Sequence, residues 1–225
     1  MSAPLDVVYY VRPGERNPEL RYSLRSLSNL PHGRVLLVGH KPTWVQGVEY
    51  VRGNEIGTTE GNAIGNLRLA CEHAGSDRFV VFNDDFFVME PMDEVPSLHA
   101  GPLSKIAHGA TTYRRQLQEA ARLLEAAGFL PRDLLAWTLH IPVVVDRERL
   151  STVLRMVGTR RPIAEWRTVY GNYWGVTGEE ASDVKVRRRT DAPDGPFLST
   201  QDATFEFVAS RIKRAFPTPS PYEAA

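Results

Sequence analysis

The sequence has few of the features that mark secreted, membrane or disulfide-linked proteins. Its single cysteine, Cys71, excludes an internal disulfide and a cysteine-built zinc site, which suits a reducing compartment. No apolar run of about 20 residues is present, and the opening MSAPLDVVYYVRPG lacks the basic start and apolar core of a signal peptide. We therefore expect a soluble, cytoplasmic protein without a membrane span.

The sequence also lacks an excess of charge of either sign. Lys and Arg together number 27, as do Asp and Glu, so no overall basic field is available to hold a nucleic acid non-specifically. One local basic run, Lys185–Arg189 (KVRRR), is present. It can be interpreted as a solvated loop, as a lid over a diphosphate, or as a patch for a polyanionic acceptor.

Length and pattern predict one α/β domain over residues 1–216, with a disordered tail at 217–225. Apolar strands alternate with amphipathic helices in the first half, which favours a mostly parallel sheet flanked by helices. The predicted strands are Leu5–Val11, Arg34–Gly39, Val48–Val51, Arg78–Phe82 and Ile141–Val145. The predicted helices begin at Asn17 or cover Glu60–Ala74, Tyr113–Ala127, Asp146–Val157 and Ser199–Phe216. Residues 175–196, rich in Gly, Pro and charge, predict a mobile loop.

The strongest chemical signal is the segment Phe82–Val88 (FNDDFFV), in which Asn83, Asp84 and Asp85 lie between apolar runs. Burying adjacent carboxylates is costly unless a positive charge compensates them. Mg²⁺ or Mn²⁺, which prefer carboxylate oxygens, would do so, and the end of a parallel strand is where open α/β sheets bind ligands. The structural alternative is a tight turn, since Asn and Asp are common turn residues.

Five segments, taken in their order along the chain, resemble the Stealth family of sugar-phosphate transferases and, more broadly, glycosyltransferases of the GT-A fold. FNDDFF is the specific part of the resemblance. The other segments are Asn17–Leu27 (NPELRYSLRSL), Leu139–Pro142 followed by Asp146–Leu154, Arg167–Tyr173 (RTVYGNY) and Ser199–Phe205 (STQDATF). The family's acidic, tryptophan-containing stretch after the first strand is replaced here by Tyr10–Glu15 (YVRPGE), which favours glycosyl transfer over sugar-phosphate transfer.

The resemblance implies a GT-A-like, mostly parallel sheet and a nucleotide-diphosphate sugar as donor, a UDP-sugar above all. It implies that Asp85, with His140, holds the Mn²⁺ or Mg²⁺ ion that offsets charge on the leaving diphosphate. Asp84 would position water or a sugar hydroxyl. The alternative for His140 is a core histidine satisfied by one hydrogen bond.

Asp202 is expected to act as general base for the acceptor hydroxyl, and its alternative role is to cap the last helix. Residues expected at the donor are Tyr10, Arg12, Arg21, Asn62, Asn66, Asn83 and Asp84. Arg21 can also belong to a solvated helix face, and Asn62 can be a helix cap. Residues expected at the acceptor sugar are Arg167, Asn172 and Trp174, although an aromatic cluster such as theirs is also typical of a core.

Three functions are compatible with these residues. The first is transfer of a sugar from a nucleotide sugar to an acceptor hydroxyl, and the second is transfer of a sugar 1-phosphate. The third is non-catalytic binding of a sugar nucleotide or glycan. A glycan, a protein and a modified nucleic acid all remain open as the acceptor.

Overall fold

The computed structural model describes residues 4–53, 57–158 and 162–224, so residues 1–3 of the predicted domain and Ala225 of the predicted tail lie outside the described residues. The strands are β1 (Asp6–Val11), β2 (Val35–Gly39), β3 (Glu49–Arg52), β4 (Arg78–Asn83), β5 (Phe86–Val88), β6 (Leu98–His99), β7 (Val143–Asp146), β8 (Glu179–Glu180) and β9 (Phe197–Ser199). The α-helices are α1 (Pro18–Ser26), α2 (Thr59–His73), α3 (Leu103–Ile106), α4 (Thr112–Ala126), α5 (Arg147–Val157), α6 (Trp166–Tyr173) and α7 (Asp202–Ala215).

The central sheet has five strands in the order β3-β2-β1-β4-β7. Strand β1 pairs in parallel with β2 and β4, β2 pairs in parallel with β3, and only the β4–β7 pair of this sheet is antiparallel. All five residues of β2 are buried, as is usual for a parallel strand covered on both faces. The predicted mixed, mostly parallel sheet flanked by helices is confirmed.

Alternate residues of the strands fill two hydrophobic cores, one on each face of the sheet. Val8 and Val38 point into a core shared with α2, α4, α5 and α6. Val7, Tyr9 and Leu37 point into a second core that contains the apolar side of α1 and part of β5. This sandwich leaves the carboxyl edge of β1 and β4 open for polar side chains.

Helix starts agree with the sequence in two cases and differ in two. Asn17 caps α1 by accepting from the Leu20 amide at 3.0 Å, and Asp146 caps α5 by accepting from the Arg149 amide at 3.0 Å. Helix α2 is capped by Thr58, so the alternative role of Asn62 as its cap was wrong. Helix α7 starts three residues later than predicted, with a capping box formed by Gln201 and Thr204, so Asp202 does not cap it.

Strand β9 was not predicted, and it determines where α7 begins. It pairs antiparallel with β5, which places Ser199 opposite Phe86 and next to Asp85. The preceding segment, predicted as a mobile loop, contains β8 and the fully buried Val186. All three residues of β9 are buried, but a run of this length is too short to stand out in the sequence.

The C-terminal segment differs from its prediction, because residues 217–224 lie against α1 instead of extending freely. Glu223 is buried and forms ion pairs with Arg21 and Arg25 of α1. The Ala224 amide donates to the Trp44 carbonyl at 2.8 Å. The polar composition suggested disorder, but one acidic residue facing two arginines fixes the segment. In the part of the chain described, no helix is both long and apolar enough to cross a membrane.

Candidate functional site

A cleft of about 280 Å³ opens at the carboxyl edge of β1 and β4. Its walls come from the end of β1, from α1 and α2, from the turn after β4, and from the segments before α7. The lining residues are Tyr10, Val11, Arg12, Pro13, Glu19, Thr59, Asn62, Ala63, Asn66, Asn83, Asp84, Asp85, Lys185 and Gln201. Six of the seven residues expected at the donor are in this group, and Arg21 is not.

Asp84 is buried in the cleft and is held by two donors. Its Oδ2 accepts from Nε of Arg12 at 3.1 Å and from Nδ2 of Asn17 at 2.8 Å. Burial raises the pKa of Asp84, and the neighbouring Asp85 adds to this, while Arg12 opposes it. The carboxylate therefore depends on the Arg12 guanidinium for its charge.

Arg12 joins three carboxylates from distant parts of the chain. Besides Asp84, it forms ion pairs with Glu19 of α1 and with Asp202, the first residue of α7, whose Oδ2 lies 2.5 Å from Nη1. The Asp202 side chain is 76% exposed, whereas that of Glu19 is 1% exposed. Burial raises the pKa of Glu19 to about 7, and Asp85 and Asp84 contribute. Asp202 is thus the accessible carboxylate at the mouth of the cleft.

Asp85 is paired with Lys185, the first residue of the basic run Lys185–Arg189. Its Oδ2 accepts from Nζ of Lys185 at 2.5 Å and from Oγ of Ser199 at 3.1 Å. The side chains of Lys185 and Asp85 are 13% and 10% exposed. The positive charge expected beside the paired carboxylates is therefore supplied by the protein itself, from Lys185 and Arg12.

The described side chains do not form a metal centre. Residues 4–53, 57–158 and 162–224 contain no group of three or more His, Cys, Asp or Glu suited to a metal ion. The Oδ2 atoms of Asp84 and Asp85 already accept from cationic groups. The arrangement does not fit an ion held by protein ligands alone, and dependence on Mg²⁺ or Mn²⁺ stays a prediction.

His140, the second expected metal ligand, does not line the cleft with Asp85 and is engaged by a different carboxylate. Its backbone amide and Nδ1 both lie 3.0 Å from Oδ1 of Asp183. Asp183 is held from its other side by Nη2 of Arg187 at 2.7 Å. Burial opposes ionisation of Asp183, but the bonds from His140 and Arg187 lower the pKa of this carboxyl far below its usual range. Nδ1 of His140 is thereby fixed as the side facing Asp183.

Two asparagines of α2 line the opposite wall of the cleft. Asn66 is buried, and its Oδ1 has no hydrogen-bond partner in the described residues. Its side chain packs closely against glycines at the ends of β2 and β3. A Cβ added at Gly39 would lie 2.9 Å from Nδ2 of Asn66, and one added at Gly53 would lie 2.1 Å from Oδ1. Asn62 accepts from the Gly57 amide at 3.0 Å. The unpaired Oδ1 of Asn66 thus lies against Gly53, at the end of β3, and Asn66 itself lines the cleft.

Arg167, expected at the acceptor sugar, does not line the cleft but lies behind it, where it supports the floor. Its guanidinium donates to the carbonyls of Leu139 at 2.9 Å and Ile141 at 3.4 Å, and to Oδ1 of Asn83 at 3.2 Å. It is buried, with Phe86 and Trp166 rings near its guanidinium. Arg167 thus links Asn83 to the segment that carries His140.

Three expected site residues are used elsewhere. Arg21 pairs with Glu223 and stacks on Trp44, with 4.2 Å between its Cζ and the ring centre. The Asn172 amide is engaged with the backbone of Leu135 and with the Thr168 carbonyl, and Nε1 of Trp174 donates to the Arg149 carbonyl. None of the three lines the cleft, and the polar groups of all three are bonded to other parts of the protein.

The sequence reasoning missed the roles of Asn17 and Glu19, and it named Lys185 only as part of a basic run. Asn17 and Glu19 look like ordinary helix-start residues, and both do belong to the start of α1, but their side chains also face Asp84 and Arg12. Lys185 begins a basic run whose arginines are exposed. The signal that could have found it is its alternation with the apolar Val184 and Val186, which is typical of a strand-like segment.

Solved structures provide a comparison for this arrangement. The first is 4-diphosphocytidyl-2C-methyl-D-erythritol synthase from Anaerococcus prevotii, with a TM-score of 0.50 and 8% identity over 95% of this chain and 100% of that one. The second is 2-C-methyl-D-erythritol 4-phosphate cytidylyltransferase from Thermus thermophilus, with a TM-score of 0.45 and 12% identity over 93% and 99%. The third is the bifunctional IspDF from Campylobacter jejuni, with a TM-score of 0.37 and 10% identity over 76% and 47%.

The likeness to the Anaerococcus protein shows the fold alone. The chain spans about half the length of the Campylobacter protein, 47%. No family model and no curated protein matches the sequence. The protein has a nucleotide-diphospho-sugar transferase-like fold, which is GT-A-like in a loose sense, whereas membership of the Stealth family stays a prediction.

Proposed function

We propose that this protein is a glycosyltransferase that takes a sugar from a nucleoside-diphosphate sugar and passes it to an acceptor hydroxyl. The observation that carries the proposal is the cleft at the carboxyl edge of β1 and β4. It gathers Arg12, the asparagines Asn62 and Asn66, and the Asn83–Asp85 turn from separate parts of the sequence. This edge is where open α/β sheets bind nucleotides.

Each wall of the cleft suits a different part of such a donor. The amide of Asn66 and the ring of Tyr10, which both line the cleft, suit a nucleobase or ribose, which needs hydrogen bonds and a flat apolar neighbour. Arg12 suits a phosphate, because a guanidinium can form two parallel bonds to an oxyanion. Asp202 is held on Arg12 and largely exposed, so an incoming phosphate can replace it there.

Two groups are proposed for the proton transfer. Asp202, released from Arg12, is an accessible carboxylate that can accept the proton of the acceptor hydroxyl. His140 does not line the cleft, so its proposed role rests on the Stealth-like order of the segments; with Nδ1 held by Asp183, Nε2 is the nitrogen that would exchange a proton. The Stealth-like order of the sequence segments agrees with both roles. The acceptor, whether glycan, protein or modified nucleic acid, is left to experiment.

Transfer of a sugar 1-phosphate is the second candidate, supported by the FNDDFF segment, and nucleotidyl transfer is a third, supported by the shared fold. The products distinguish them, because glycosyl transfer releases a nucleoside diphosphate. Sugar-phosphate transfer releases a nucleoside monophosphate, and nucleotidyl transfer, which needs a nucleoside triphosphate as donor, releases pyrophosphate. A purely binding protein would release none of these.

The experiment is a thermal-shift screen of nucleotide sugars, followed by chromatography of the products formed without an added acceptor. A donor should raise the melting temperature by mass action and should be slowly hydrolysed to its nucleoside diphosphate. Asp85→Ala should abolish hydrolysis, whereas Asp93→Ala, an exposed acid outside the cleft, should not. If no nucleotide sugar stabilises the protein, or if Asp85→Ala hydrolyses it at the wild-type rate, the proposal is wrong.

A further inference from the structure

Lys185 differs from the other members of the basic run in which it lies. The side chains of Arg187 and Arg188 are 53% and 84% exposed, whereas that of Lys185 is 13% exposed and lines the cleft. Lys185 is therefore a residue of the site, and the arginines that follow it lie at the surface.

Backbone pairing fixes the place of Lys185. The residue forms a parallel bridge with Ser199, the Val186 amide donates to the Ser199 carbonyl at 2.8 Å, and the Ser199 amide donates to the Val184 carbonyl at 3.2 Å. Ser199 belongs to β9, which pairs with β5 immediately after Asp85. The Lys185 ammonium and the Asp85 carboxylate are thus brought together by strand pairing.

The charges in the buried part of the cleft are already paired. Asp84 faces Arg12, and Asp85 faces Lys185 with 2.5 Å between Nζ and Oδ2. Oδ2 of Asp85 also accepts from Oγ of Ser199, so an ion bound to that oxygen would have to displace the ammonium or the hydroxyl. Within the described residues, the cation that faces Asp85 is therefore a lysine.

We infer that Lys185 takes the place of the divalent ion and binds the diphosphate of the nucleotide directly. The inference rests on the proposed function. An ammonium has three donors, and within the described residues Nζ donates one hydrogen bond, to Asp85, so that donors remain for phosphate oxygens. Lysine binds phosphate as a point charge, and a fixed charge in a partly buried site stabilises the leaving diphosphate. Asp85 then acts as the group that positions Lys185.

The test is calorimetric titration of the full chain with UDP, GDP, ADP and CDP, first in EDTA and then with Mn²⁺ or Mg²⁺. We expect one of these nucleotides to bind wild type in EDTA, with less than a threefold change in affinity when either ion is added. Lys185→Met should weaken binding in EDTA at least tenfold, and Lys185→Arg should retain most of it. Arg188→Met, in the same run and 84% exposed, is the matched control and should bind like wild type.

Lys185→Met alone leaves the Asp85 carboxylate buried without its cation. The double variant Lys185→Met with Asp85→Asn avoids this, because it replaces both charged side chains with neutral ones. If it is folded by circular dichroism and still loses at least tenfold in affinity, the inference is supported. Binding that requires an added ion in wild type, or that is unchanged in the folded double variant, overturns the inference and leaves the proposed function standing. If none of the four nucleotides binds with or without an ion, the proposed function fails and the inference falls with it.

Discussion

The attachment of the C-terminal segment to α1 depends on one buried carboxylate, that of Glu223. Its side chain is 3% exposed and accepts from Nη1 of Arg21 at 2.8 Å and from Nε and Nη2 of Arg25 at 2.7 and 2.8 Å. Burial opposes the charge, but the bonds from Arg25 and from the Ser220 amide outweigh it and lower the pKa of Glu223 to about 2. We predict that Glu223→Gln releases this segment.

The size of the effect follows from the lowered pKa. A change from 4.5 to about 2 corresponds to roughly 3 kcal/mol, at about 1.4 kcal/mol per pKa unit. Since the pKa of this acid is lower in the folded protein, the stabilisation is complete above pH 4.5 and is lost as the pH falls from 4.5 towards 2. Loss of roughly 3 kcal/mol should increase the open population of the segment about a hundredfold.

Amide hydrogen exchange at neutral pH measures this opening directly. The Ala224 amide, bonded to the Trp44 carbonyl at 2.8 Å, and the Gln46 amide, bonded to the Tyr222 carbonyl at 3.0 Å, should exchange about a hundredfold faster in Glu223→Gln. The same amides should exchange faster in wild type, relative to the intrinsic rate, as the pH falls below 4.5. Glu206→Gln, an exposed acid on α7, is the control. Unchanged protection at both amides in Glu223→Gln would refute the reasoning.

Three further predictions concern single side chains. Burial raises the pKa of Glu19 to about 7, so between pH 4.5 and 7 the folded protein keeps a proton that the unfolded chain releases. The free energy of unfolding should therefore fall as the pH rises through that window, by up to about 1.4 kcal/mol per pH unit. Urea unfolding of Glu19→Gln should lack this slope, and an equal slope in both proteins would contradict it. Asn66→Ala should bind nucleotide roughly tenfold more weakly, as expected for one lost hydrogen bond. Its melting temperature should not fall, since Oδ1 of Asn66 has no partner within the described residues. A lower melting temperature with unchanged affinity would show a structural role instead. Arg21→Gln should speed hydrogen exchange in the C-terminal segment, because Arg21 pairs with Glu223, and should leave nucleotide affinity unchanged. A tenfold weaker affinity would show that Arg21 belongs to the donor site.

The elements that could be predicted from the sequence are those with a clear period and a clear end. Strands β1, β2 and β4 are continuous apolar runs, and α1 and α5 begin at Asn17 and Asp146, whose side chains cap them as expected. The carboxyl edge of the sheet follows from the order of these elements. For that reason six of seven expected donor residues meet in one cleft.

The residues that could not be predicted owe their positions to pairing between distant segments. Strand β9 has three residues, too few to show an alternation of apolar and polar side chains, yet it brings Lys185 and Ser199 to Asp85. Arg12 meets Asp202 across 190 residues of sequence. Glu223 looked like part of a polar tail because its partners, two arginines on α1, are visible only once the helix is folded against it.

The most direct test of the account is a crystal structure of the protein with UDP, or with the nucleotide that binds best in the screen. We predict that the diphosphate lies in the cleft within hydrogen-bond distance of the Arg12 guanidinium, with Asp202 released and the base against Asn66. A nucleotide bound elsewhere on the protein, with Arg12 still paired to Asp84 and Asp202, would contradict the central claim that this cleft is a nucleotide-sugar site.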